Sequence, residues 1–190
     1  NTLGLWTDSA KADWQILEKG TDYFKLKIVF KELPLNQIWS INIKDEQEIA
    51  WQIDTGIEEW LHIDEFRIIS LLNPRYKIWI SDYQQGDFSR LSSHWHDLFF
   101  SNKPTSLVGV RFSIESGSLP SFVIEAQENN LFSFVQNSPL NINTQLIGFR
   151  HVDPEDEKDY LPGYRHLFTG KINLLEDDYL LDIKTERLRR

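Results

Sequence analysis

Residues 23–31 read Tyr-Phe-Lys-Leu-Lys-Ile-Val-Phe-Lys, which sets Phe24, Leu26, Ile28 and Phe30 on one side of an extended chain and Lys25, Lys27 and Lys31 on the other. Successive side chains of a strand point to opposite faces, so this pattern is that of a half-buried strand. The run breaks at Leu33-Pro34-Leu35-Asn36. A second strand follows, in which Trp39, Ile41 and Ile43 alternate with Ser40, Asn42 and Lys44, and Ile49, Trp51 and Ile53 make a third. The same reading applies to residues 76–81, 107–114, 122–126, 131–135, 145–149, 166–174 and 179–183. Turn chemistry separates these runs at Asn73-Pro74, Gln85-Gly86-Asp87, Ser116-Gly117-Ser118, Asn129-Asn130, Asn137-Ser138-Pro139 and Pro162-Gly163. Many short strands divided by turns predict an all-β sandwich or barrel, read here as a mainly antiparallel β-sandwich with one or two short helices. With no linker dividing the chain, residues 1–190 are expected to form one domain.

Two windows carry helical signals. Ser9 stands where a cap would open a short helix bearing Trp14 and Leu17 and ending near Gly20. Between Thr55 and Leu72, the residues Ile57, Trp60, Leu61, Asp64, Ile68, Leu71 and Leu72 fit a helical face, and Thr55 with Glu58 has capping-box spacing. The rival reading of this window, which is the one taken, is a loop through Trp60 and a strand from Ile63 to Leu71.

The chain has 29 acidic and 20 basic side chains, a formal charge of −9. Such a surface repels a phosphate backbone, so nucleic acid is not an expected partner. The one dense basic cluster, Arg187, Arg189 and Arg190, reads as a solvated tail. No run approaches the roughly 18–20 apolar residues that cross a bilayer, and no membrane insertion is expected. A chain that opens at Asn1 and contains no Met reads as processed or as a domain excised from a larger protein. The absence of Cys removes disulfides, thiolate metal sites and Cys nucleophiles and leaves the redox compartment open.

Seven Trp, twelve Phe and six Tyr form the strongest compositional signal. Trp offers a broad apolar face with a polar edge, which suits stacking on sugars. Trp79 alternates with Lys77 and Ser81, opposite Tyr76, Ile78 and Ile80, and so reads as exposed. Trp60 follows two glutamates, and Trp95 lies between His94 and His96 in a serine-rich stretch. These three are the expected ligand-binding residues, whereas Trp39 and Trp51 stand among isoleucines and are assigned to the core.

His94-Trp95-His96 would project both imidazoles from one face of a strand, where they could ligate Zn, Fe or Mn with His166 as a third ligand. This constellation resembles the metal-binding core of the cupin family, although no Glu stands at that family's distance; two surface histidines in a loop is the reading taken. Asp153, Glu155, Asp156, Glu157 and Asp159 around Pro154 form an oxygen-rich loop that could hold a structural Ca²⁺, set against the simpler reading of a solvated acidic loop. Adjacent carboxylates such as Glu58 and Glu59 do not face one another, and no nucleophile elbow, phosphate loop or serine triad order is present, so no catalytic residue is assigned.

The segments Ala50-Trp51-Gln52-Ile53-Asp54-Thr55-Gly56, His62-Ile63-Asp64-Glu65-Phe66-Arg67-Ile68 and Arg75-Tyr76-Lys77-Ile78-Trp79-Ile80-Ser81-Asp82, with the opening Asn1-Thr2-Leu3-Gly4-Leu5, resemble the discoidin-type, or coagulation-factor C-type, domains. The resemblance implies an antiparallel jelly-roll sandwich that binds glycans, lipids or protein through loops at one end, and it implies no enzymatic residue. The expected function is therefore a non-catalytic binding module with carbohydrate as its ligand. A protein-interaction or assembly domain is the alternative, and a cupin-like metal-dependent enzyme stands third.

Overall fold

The computed structural model describes residues 6–111, 119–154 and 157–175. Among the described residues fifteen strands occur in chain order: β1 (Asp13–Lys19), β2 (Tyr23–Val29), β3 (Leu35–Ile43), β4 (Glu48–Ile57), β5 (Leu61–His62), β6 (Phe66–Leu72), β7 (Ile78–Ser81), β8 (Gln85–Asp87), β9 (His96–Phe100), β10 (Leu107–Arg111), β11 (Ser121–Ala126), β12 (Leu131–Asn137), β13 (Gln145–His151), β14 (Asp159–Tyr160) and β15 (Gly163–Leu175). Among the described residues the one helical element is a 3₁₀ turn at Ser9–Lys11. The fold is all-β, with large antiparallel sheets. The strand expected at 179–183, the turn at 116–118, the C-terminal arginines and the opening residues 1–5 lie outside the described residues.

The chain packs as two compact units: residues up to Phe66 with His151–Gly170, and Arg67–Arg150 with the chain from Lys171. In the first unit the strand order is β1-β2-β3-β4, followed by the first part of β15. Cross-strand partners share a face, so the register Leu26↔Trp39↔Ile53 and Ile28↔Gln37↔Thr55 builds one apolar face. At one end of that face Ile28, Phe30, Leu35 and Ile57 pack with Leu61, Ile63 and Tyr160 into a core. The two-residue strands β5 and β14 pair with each other and bring Leu61 and Tyr160 into it. Each large side chain buried there contributes about 1.5–3 kcal/mol.

The expected helix at Ser9 is corrected. Asp8, not Ser9, accepts the N–H of Ala10 at 3.0 Å and caps only the 3₁₀ turn, after which the chain extends into β1. Asp13-Trp14-Gln15-Ile16 has period two as well as a helical fit, and Trp14 and Ile16 pair with Ile28 and Leu26 of β2. A ladder against an existing strand outweighs a short isolated helix, which is marginal in water. The irregularity in register between Ile16 and Glu18 falls at Leu17 and absorbs the residue that breaks the alternation. The window 55–72 is extended, as the strand reading expects, although β4 continues through Thr55 to Ile57 and so removes the capping box.

The second unit is a sandwich. One sheet runs β11-β10-β7-β8 with the last part of β15 on the β11 side, and the other runs β6-β13-β12-β9. Trp79 of β7 stacks on Phe99 of β9, ring centroids 5.1 Å apart and planes 16° from parallel, so aromatic faces join the two sheets. Gly148 lets β13 lie against β6, since a Cβ there would sit 1.9 Å from the carbonyl oxygen of Ile68.

Candidate functional site

A cleft of about 390 Å³ opens in the first unit, lined by residues of β4, β6, β13, β14, β15 and the loop between β13 and β14. Thr55, Phe66, Tyr160, Arg165 and His166 lie on strands, with Asp153 and Glu157 supplied by the loop. Its acids are largely committed to neighbours. The Tyr160 hydroxyl donates to Asp153, whose other oxygen lies 3.3 Å from His151 Nε2. Asp159 accepts from His62 Nδ1 at 2.8 Å, and Asp64 stands 3.4 Å from the other ring nitrogen. The hydrogen bond to Asp159, with the charges of Asp159 and Asp64, holds the His62 imidazole above its ordinary 6.5 against the opposing effect of desolvation.

Two side chains in the cleft have a different character. The Arg165 guanidinium lies over the Tyr160 ring, 4.7 Å from its centroid, which fixes its plane and leaves its N–H fork to other partners. Thr55 shares the apolar face with Ile28 by register and is only 2% exposed, and its buried hydroxyl has no hydrogen-bond partner among the described residues.

Next to the cleft a chain of polar contacts runs along β4 and β15. Gln52 donates to one oxygen of Asp54, the other accepts from His166 Nδ1 at 2.8 Å, and Thr169 Oγ1 lies 2.9 Å from His166 Nε2. The order carboxylate, imidazole, hydroxyl is that of a nucleophilic relay. Thr169 is not among the residues lining the cleft.

The structure disperses the residues expected from sequence. Trp79 is corrected from exposed to core: it is 5% exposed, because β7 is covered on both sides and Ile80 is buried as well. Trp60 and Trp95 are exposed, at 59% and 53%, in the first and second units respectively. Trp39 and Trp51, expected in the core, are half-buried and belong to an edge-to-face row Trp14–Trp39–Trp51–Phe168 with centroids 5.2–5.4 Å apart.

The histidines weighed as an alternative metal site, His94, His96 and His166, are not brought together. His94 lies in a bend with Nδ1 2.8 Å from Ser93 Oγ, and only His96 is on a strand, with Nδ1 3.2 Å from Ser89 Oγ. A shared face required both to be on a strand. His166 belongs to the other unit, committed to Asp54. Among the described residues no three His, Asp or Glu side chains converge as a metal site. Of the acidic loop, Asp153 and Asp159 are engaged by Tyr160, His151 and His62, while Glu155 and Asp156 lie outside the described residues.

No protein-family model matches the chain, and no curated protein does. Sequence reasoning reached Asp153 through the acidic loop and His166 through the histidine search. It missed Thr55, Tyr160 and Arg165, which meet only when β4, β14 and β15 come together.

Proposed function

We propose that this chain is a non-catalytic binding module whose ligand is a carbohydrate held in the cleft of the first unit. The observation that carries the reading is the lining: hydrogen-bonding side chains of both kinds, with the rings of Phe66 and Tyr160, in a cavity of ordinary ligand-site size. Sugars present hydroxyls that both donate and accept, and faces of C–H groups that pack on aromatic rings. Trp60, in the same unit, is an exposed indole of the kind that stacks on sugar rings. The discoidin-type resemblance of residues 50–82 points the same way. Neither nucleic acid nor membrane insertion is part of this reading, and no described helix is long and apolar enough to cross a membrane.

One feature favours a protein partner as the second reading. Trp14, Ile16 and Leu17 are exposed on β1, which among the described residues is an edge strand paired only with β2. A glycan array run beside a pull-down separates the two. Sugar signal that weakens on Arg165→Ala supports the cleft; specific protein capture abolished by Trp14→Ala, with no sugar signal, replaces it with the interaction reading.

A further inference from the structure

Taking its ligand class from the carbohydrate reading above, we infer a second sugar-binding surface on the face of β4 opposite Thr55, with Tyr164 as its stacking platform and a linear glycan of several units as its ligand. Side chains alternate along a strand, so Gln52, Asp54 and Gly56 share that face while Thr55 lines the cleft. Register places Ser40, Ile38 and Asn36 of β3 beside them, in that order. From the other side β15 brings Tyr164 to the same face: a Cβ on Gly56 would lie 2.9 Å from Tyr164 Cε1 and 2.8 Å from Asn36 Oδ1. Ring and amide thus flank the bare glycine. Asn36 Nδ2 donates to Glu58 at 3.0 Å, which adds a carboxylate to this surface, and further along the row Asp54 holds Gln52 and His166 at 2.8 Å each.

Tyr164 is 79% exposed, more than any other large apolar side chain among the described residues. A ring that serves only to cover a glycine buries itself in doing so; this one meets Gly56 at an edge and keeps most of its surface in water. A positioned Tyr offers broad contact area at small entropic cost, with a hydroxyl at its rim. The polar groups beside it are open to a ligand as well, since Glu58 and Gln52 are exposed and Asp54 is half-buried. Carboxylates accept from sugar hydroxyls, and the Gln52 amide and the Tyr164 hydroxyl both donate and accept. From Gly56 to Gln52 the row runs for about 13 Å at a rise of ~3.4 Å per residue. That is longer than one sugar ring, so the surface fits a chain. Tyr164 and Arg165 are neighbours on one strand, and Arg165 lines the cleft, so single substitutions tell the two surfaces apart.

The test is calorimetric titration of the whole chain with short and long gluco-, manno- and xylo-oligosaccharides. Affinity within one series should rise with chain length, and Tyr164→Ala should weaken its long members about threefold to tenfold, the loss of one stacking contact. Tyr164→Phe keeps the ring and should retain most of that affinity, whereas Tyr164→Leu, apolar but without a flat face, should not. Gln52→Ala should weaken long members more than short ones. The Tyr164 variants should melt with the unaltered chain, because the position is exposed. Binding indifferent to Tyr164→Ala but lost on Arg165→Ala confines the sugar to the cleft, which overturns this inference and leaves the carbohydrate reading standing. Affinity that does not grow with chain length overturns it too, as does a Tyr164→Ala variant that melts lower with binding unchanged, since the ring is then a cover for Gly56. Failure of every sugar to bind, here and on the glycan array, removes the carbohydrate reading itself.

Discussion

Trp79 joins the two sheets of the second unit through its stack on Phe99, so its truncation removes the largest ring from that contact. We expect Trp79→Ala to destabilise the protein by about 3–5 kcal/mol, measured by urea unfolding. The environment around the indole is close-packed: a Cβ on Gly86 would meet the ring at 2.5 Å. This residue also shows where sequence reading fails at the finest scale. Alternation correctly sets Trp79 opposite Ile78 and Ile80, but a strand covered on both sides has no outward face, and period two says which residues share a face without saying which face meets water. The polar neighbours Lys77 and Ser81 suggested water, yet Ser81 is fully buried. The exposed Trp60 and Trp95 were legible because they lie outside strands, among charged or hydroxyl-bearing residues.

At the scale of elements, the pair β5 and β14 depends on the clamp between His62 and Asp159, which face one another in register. The His62 imidazole is raised above 6.5, so the folded state binds its proton more tightly than the unfolded state does. Its stabilisation is complete below 6.5 and is lost as pH rises through the raised folded value. The melting temperature should therefore fall from mildly acidic to mildly alkaline pH, and Asp159→Asn should flatten that dependence; an equal slope in the variant would place the effect elsewhere. Elements of this kind are hard to find in sequence, since two residues cannot show a period. The longer strands β2, β3, β4, β12 and β13 could be read because each carries several alternating residues between turn signals. In β1, residues 13–19, the same apolar side chains fit a helical stripe, and only the presence of β2 decides between them. The cleft was hidden for a related reason: Thr55 reads as a helix cap and Arg165 as one charge among many until strands more than a hundred residues apart meet.

For the molecule as a whole, an isoelectric point near 5.0 sets the solubility minimum. Turbidity at fixed concentration should peak close to pH 5 and clear on either side, where net charge keeps molecules apart. The all-β character was legible because it is repeated along the whole chain, whereas the partition into two units was not, because neither unit is one continuous stretch of sequence. That discontinuity matters when the chain is made. The strands β1 to β4 leave the ribosome early, yet β15, the neighbour of β4, follows only after the whole stretch Arg67–Arg150. Through that interval β4 presents an open edge with Trp51 and Ile53 close by, a template for pairing with another nascent chain. Polypeptides stalled or truncated before His151 should therefore be the species that chaperones and proteases meet, while the finished chain closes that edge with its own last described strand.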